Sequence, residues 1–188
     1  MFHTRFFCLL VGFLVCLTTE VSTADVVILQ PVDDSLISTI SGEDNTPFGN
    51  AHELEMTGWF DIGVRRPLLK FDLSSIPDGA TVLSAELTLE QVWFNPNAAN
   101  TFAAEAWRMP NDNWDEETVT WNSYDQTGGV EVAILQTQQV NGPRVWNIRI
   151  ADWNFAEDLL DNAVTFQTRW GLENNQFLKD VMYSSKEG

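Results

Sequence analysis

Residues that carry covalent or metal chemistry are scarce in this 188-residue sequence. It holds two cysteines, Cys8 and Cys16, and two histidines, His3 and His52. Both cysteines and one histidine fall in a leader that is expected to be removed. Arg5 gives a positive start, Phe6 to Leu17 is apolar and uncharged, and Ser22-Thr23-Ala24 sets small residues just before Asp25. That is the layout of a secretory signal peptide over residues 1–24. Its apolar run falls short of the roughly 20 residues a membrane span needs, and no later run is long enough either. The remaining domain, 25–188, is therefore read as exported, with no disulfide, no thiol nucleophile and no cysteine metal site. With His52 alone left, multi-histidine zinc sites are excluded and a serine triad has one candidate base. No Gly-x-Ser-x-Gly elbow and no glycine-rich phosphate loop occurs. Tyr124 and Tyr183 are the two tyrosines that could serve lyase-type proton transfer. No pair of acids can be nominated for glycoside hydrolysis from so many.

Positive charge is equally short. Ten Lys and Arg face 27 Asp and Glu, for a formal charge of −17 and a pI near 4.2. That balance excludes nucleic acid and anionic membrane surfaces as partners. The acids are spread along the chain, so a disordered acidic tail is excluded as well. An acidic surface serves solubility, or it binds divalent cations. Asp33-Asp34 and Glu43-Asp44-Asn45 read as acidic loops whose oxygens suit calcium. No EF-hand spacing occurs, so a structural calcium is expected without an assigned metal site.

What the sequence does have is aromatic and β-branched residues in short runs. All eight tryptophans lie beyond the leader. Strands are expected at Val26 to Gln30, Leu36 to Ile40, His52 to Thr57, Leu68 to Leu73 and Val82 to Phe94. More are expected at Phe102 to Arg108, Val130 to Leu135, Arg144 to Ile150, Ala163 to Trp170 and Asp180 to Ser184. In Val82 to Phe94, Leu83, Ala85, Leu87 and Leu89 alternate with Ser84, Glu86, Thr88 and Glu90, the signature of a sheet wet on one side. Ile76-Pro77-Asp78-Gly79-Ala80 is a turn. Asp152 to Leu160 reads as one short helix capped by Asp152, with Phe155, Ala156, Leu159 and Leu160 on its buried face. Short strands at this spacing predict an all-β sandwich or barrel.

Several segments together resemble a known family. Arg66-Pro67-Leu68-Leu69-Lys70-Phe71-Asp72-Leu73-Ser74-Ser75-Ile76-Pro77-Asp78-Gly79-Ala80-Thr81-Val82, followed by Ser84 to Leu89, resembles the signature of the DNRLRE domain of bacterial exported proteins, which is similar to carbohydrate-binding module family 96. Asn45 to Leu54, with Phe48-Gly49, is similar to that family's loop before a strand. Trp114, Glu116, Val119, Thr120, Trp121 and Asn122 resemble its W-x-E-x-x-V-T-W-N stretch, and Tyr183 to Glu187 its closing S-K/R-E motif. The resemblance covers nearly all of 25–188. It implies a jelly-roll antiparallel β-sandwich, found in members attached to polysaccharide-degrading enzymes such as alginate lyases. Family domains continue past the S-K/R-E motif into a further strand. This sequence stops at Gly188, so it is read as a fragment, with a catalytic domain as a possible neighbour in a longer chain.

Trp114 and Trp121 bracket Asp115 to Thr118. They are either a sugar platform beside an acidic site or core anchors around a tight turn, and the resemblance favours the core. Glu116 is expected to accept hydrogen bonds from turn amides. The better sugar candidates are Trp59 in a loop, Trp93 at a strand end and Trp153 after a strand, because indole faces stack on pyranose C–H faces. Arg65 and Arg66, the adjacent basic pair, suit a uronic acid carboxylate. The expected function is a secreted, monomeric, non-catalytic module for alginate-like or other cell-wall polysaccharide. A structural or adhesive module without a sugar ligand is the alternative.

Overall fold

The computed structural model describes residues 24–59, 61–96, 103–136, 139–173 and 179–187. The leader reading falls on residues outside this set, as do Phe60 and the start of the strand expected from Phe102. The described elements are β1 (Pro31–Ser38), β2 (Glu53–Trp59), β3 (Gly63–Asp72), β4 (Ala85–Phe94), β5 (Ala103–Met109), β6 (Val130–Gln136), β7 (Gly142–Ile148), α1 (Phe155–Asp161), β8 (Ala163–Trp170) and β9 (Lys179–Ser184). A single 3₁₀ turn, Ile150–Asp152, precedes α1.

The strands run in the order β6-β5-β8-β3-β2-β9-β4-β7, with β1 on the other edge of β3. Among the described residues every pairing is antiparallel. β3 is the junction: its first residues pair with β2, its last with β8, and β1 runs along its far edge. The two ends of the path meet where the Arg149 amide after β7 donates to the Val132 carbonyl of β6 at 2.8 Å. The result is an all-β antiparallel sandwich, nearly closed. Closure of this kind hides the strand edges that an open sheet would expose.

Between the layers lies the main core, which includes Leu54, Met56, Leu69, Leu87, Leu89, Trp146, Val164, Phe166, Trp170, Val181 and Tyr183. A second core, Ile37, Leu68, Met109, Trp114, Val119 and Tyr124, fills the other side of β3 under the 110–129 segment. Period two explains both: Leu68 and Leu69 are neighbours in sequence and face opposite sides of one strand. The 76–80 turn forms as expected, with the Ala80 amide bonded to the Pro77 carbonyl and Gly79 at φ 76°. That left-handed conformation suits glycine.

Four sequence expectations need correction. Val26 to Gln30 is not a strand: Val26 and Ile28 are exposed, no strand pairs with the run, and the first strand opens at Pro31. β-branched composition makes a strand only where an edge is available. β4 begins at Ala85 rather than Val82, and Leu83 is exposed, whereas Leu87 and Leu89 do point inward. Helix α1 starts at Phe155 after an Asn154 N-cap. Asp152 lies in the preceding turn and pairs with Arg149, and Ala156 and Leu160 are exposed while Asp158 is buried. Asp33-Asp34 is part of β1, not a loop.

Candidate functional site

β2 turns Leu54 and Met56 into the main core, so Glu53, Glu55, Thr57 and Trp59 stand on its other face. Register extends that face sideways. β3 sets Arg65 opposite Thr57, β9 sets Asp180 opposite Thr57 and Met182 opposite Glu55, and β4 sets Trp93 opposite Met182. Three of the expected sugar contacts, Trp59, Arg65 and Trp93, are thus brought to one sheet face. Trp59 closes β2 rather than standing in a loop. The indoles are the most exposed of the described tryptophans, Trp59 at 36% and Trp93 at 37%. From strand geometry they are displaced by about 13 Å along the strands and about 10 Å across them.

The ground between them is acidic and hydrogen-bonded. Arg65 forks Glu43, with Nε to Oε2 at 3.0 Å and a terminal nitrogen to Oε1 at 2.6 Å, and also pairs with Glu55. The Thr57 hydroxyl lies 2.6 Å from Glu55 Oε1 and 2.9 Å from Asp180 Oδ1. One hydroxyl hydrogen cannot serve two carboxylates fully. Burial, with Glu55 close by, pushes the Asp180 carboxyl up to about 6.

Arg66 and Trp153 lie elsewhere. Arg66 faces the second core, holds both Glu173 oxygens with the Nε–Nη2 edge of its guanidinium, donates from Nη1 to Gln126, and lies 4.8 Å from the Trp121 ring centre. Trp153 is half-buried, edge-on to Phe155 and Phe166 at 5.1 and 5.7 Å, and its indole N–H donates to Asp158. Trp114 is a core residue, with its Nε1 donating to Thr165 at 2.9 Å and Lys70 bonded to its carbonyl. Tyr124 and Tyr183 are buried, and burial pushes both phenols upward, which suits neither to proton transfer. His52 is exposed, its Nδ1 3.1 Å from the Glu187 carbonyl oxygen.

One constellation joins residues that the sequence singled out only separately, Asp34 among the calcium-suited acids and Glu116 and Glu187 in two family motifs. Asp34 of β1, Glu116 of the 110–129 segment and Glu187 beyond β9 bring carboxylate oxygens within 4.8 Å of one another. Glu116 Oε2 accepts the Asp34 amide at 3.2 Å, not a turn amide, and the Lys186 ammonium at 2.9 Å. Lys186 also bonds Glu187 Oε1 at 2.6 Å, and its amide donates to Asp34 Oδ2 at 2.7 Å. Burial, helped by Glu187 and Glu116, pushes the Asp34 carboxyl up to about 6. Gly49 packs on the Glu116 backbone so closely that a Cβ there would collide with the Glu116 carbonyl. These residues lie far apart in sequence, and only the tertiary fold joins them.

A rigid antiparallel sandwich with two indoles on one open sheet face has the build of a binding module. The sequence matches carbohydrate-binding module family 96 over residues 26–187, and the protein belongs to that family. This agrees with the DNRLRE resemblance. The family is one of non-catalytic binding modules. No curated protein matches the sequence. Among the described residues no helix is long and apolar enough to cross a membrane.

Proposed function

We propose that the protein is a secreted, non-catalytic module that binds a polysaccharide across the face formed by β2, β9 and β4. The observation that carries this reading is the pair of half-exposed indoles, Trp59 and Trp93, on one face of one sheet. Stacking of an indole on a sugar ring removes apolar area from water at little entropic cost. Their separation calls for an extended chain of several sugars rather than a single residue. The leader pattern in 1–24 supports export. A catalytic domain in a longer chain would be brought to its substrate by such a monomeric module.

Charge favours a neutral polysaccharide. Arg65, Arg66, Lys70, Arg108, Arg149, Arg169 and Lys186 are all paired with carboxylates. A uronate would have to displace Glu43 and Glu55 from Arg65, and it would approach a chain of charge −17. An alginate-like ligand therefore needs a bridging cation. The second reading, a structural or adhesive extracellular module without a sugar ligand, draws on the fact that the other described tryptophans are buried or half-buried and serve packing.

The test is retention of the protein on gelled or insoluble polysaccharides, neutral and uronic, with calcium and with chelator. Retention on one polymer, lost on Trp59→Ala or Trp93→Ala, supports the module reading and its face. Retention unchanged by both substitutions moves the site elsewhere. No retention on any polymer by folded protein favours the structural module.

A further inference from the structure

The Asp34–Glu116–Glu187 cluster lies outside the sheet face described above and combines two independent features. The first is three carboxylates close enough to share one ion. The second is an orphaned atom. Asp34 is 1% exposed, and while its Oδ2 takes the Lys186 amide, its Oδ1 is buried with no hydrogen-bond donor. A buried carboxylate oxygen without a donor is costly to leave so. Lys186 supplies one positive charge to three acids, which leaves the cluster two charges short of neutral.

We propose that Asp34, Glu116 and Glu187 form a divalent-cation site, suited to calcium, in which the Lys186 ammonium is an exchangeable competitor. All three donors are hard carboxylate oxygens, with no histidine or cysteine, the set that calcium takes and that zinc or copper does not prefer. Three side chains leave the remaining positions of a six- to eight-coordinate ion to backbone oxygens and water. Glu116 and Glu187 are partly open to solvent, so water can complete the shell. The Lys186 side chain is itself partly exposed, and its Nζ can leave for solvent while its amide keeps hold of Asp34. The ion would tie β1, the 110–129 segment and the residues after β9 together. That makes it a clasp and not a sugar contact, and the proposal stands whether or not a polysaccharide is bound.

The experiment is calorimetric titration of the chelator-treated protein with calcium chloride, alongside thermal melting with calcium and with chelator. One saturable site per chain is expected, in the range of about 10⁻⁴ to 10⁻³ M that extracellular calcium modules show, with a higher melting temperature in calcium. Asp34→Asn risks the fold, so two other variants decide. Glu187→Gln should weaken binding about tenfold by removing a charged ligand. Lys186→Met should tighten it severalfold by removing the competing ammonium. A wild-type protein that is folded yet shows no saturable calcium site overturns the proposal. So does a site whose affinity is the same in Glu187→Gln and Lys186→Met, since calcium would then be held by acids elsewhere on the surface.

Discussion

Arg65 and Arg66 are consecutive residues with opposite employments. Arg65 stands beside Glu43 and Glu55 on the face that carries Trp59 and Trp93, whereas Arg66 is clamped by Glu173 and Gln126 against Trp121 over the second core. Each is a guanidinium among acids; Arg66 lies on an indole, and Arg65 shares a sheet face with two. The difference is what lies above. The 110–129 segment covers Arg66 and turns its aromatic neighbours into packing, and no described segment does so over Trp59 and Trp93. A tryptophan beside an arginine is therefore not evidence of a sugar site until the covering chain has been traced.

The contrast is sharpest at Trp114. Trp114→Ala should lower unfolding free energy by about 3–5 kcal/mol in urea titrations, the range for large aromatic truncations in a core. It should leave polysaccharide retention of the folded fraction intact. Trp59→Ala and Trp93→Ala should do the reverse. Each should weaken binding by about tenfold, or about 1.4 kcal/mol, with stability changed by no more than about 0.5 kcal/mol, as expected at surface positions. If Trp59→Ala unfolds the protein as Trp114→Ala does, the distinction between the two regions collapses.

A pH test probes the acidic ground between the indoles. The Asp180 carboxyl titrates at about 6 in the folded protein against about 3.9 unfolded. The folded state thus holds its proton more tightly, and stability falls as pH rises between those values. Asp180→Asn removes that loss and keeps an oxygen for the Thr57 hydroxyl. The variant should match wild type near pH 4 and exceed it at neutral pH by about 1 kcal/mol, a figure discounted for partial solvent screening. The smallest effect is expected from Trp121→Phe, which keeps an aromatic ring on the second core and weakens only the cation–π contact. The weaker contact with Arg66 should cost no more than about 0.5 kcal/mol of stability, with retention on polysaccharide unaltered.

Much of the sandwich was legible because alternation is a local signal. Leu87 and Leu89 face inward between exposed Glu86, Thr88 and Glu90, as the pattern required. The run 163–170 was bounded correctly because Trp170 and the residues before it are packed on both faces. Val26 to Gln30 misled because composition does not reveal whether a partner edge exists. Leu160 misled because a helix of two turns buries only a narrow stripe, here Phe155 and Asp158, the latter held by Arg108 and the Trp153 indole. Of the site, alternation on β2 could have placed Trp59 outward, but on β4 it would have turned Trp93 inward with Leu87, Leu89 and Gln91. The register shift between Gln91 and Trp93 is what turns that indole out, and alternation does not reveal it. Nor could alternation have shown that β9 lies between the two strands and puts both indoles on one face. The Asp34–Glu116–Glu187 cluster was beyond reach for the same reason, since its members meet only through long-range pairing.

The position of β9 has a further consequence. It hydrogen-bonds to β2 along one edge and to β4 along the other, so without it those two strands would line an empty slot with donors and acceptors on both sides. Such a slot accepts any strand that offers Val181 and Tyr183 to the core and Asp180 to Thr57. The best-matched stranger is the same segment of a second copy. A chain cut before residue 179 should therefore be rescued by a peptide of residues 179–187 added in trans, and left alone it should trade strands with its neighbours.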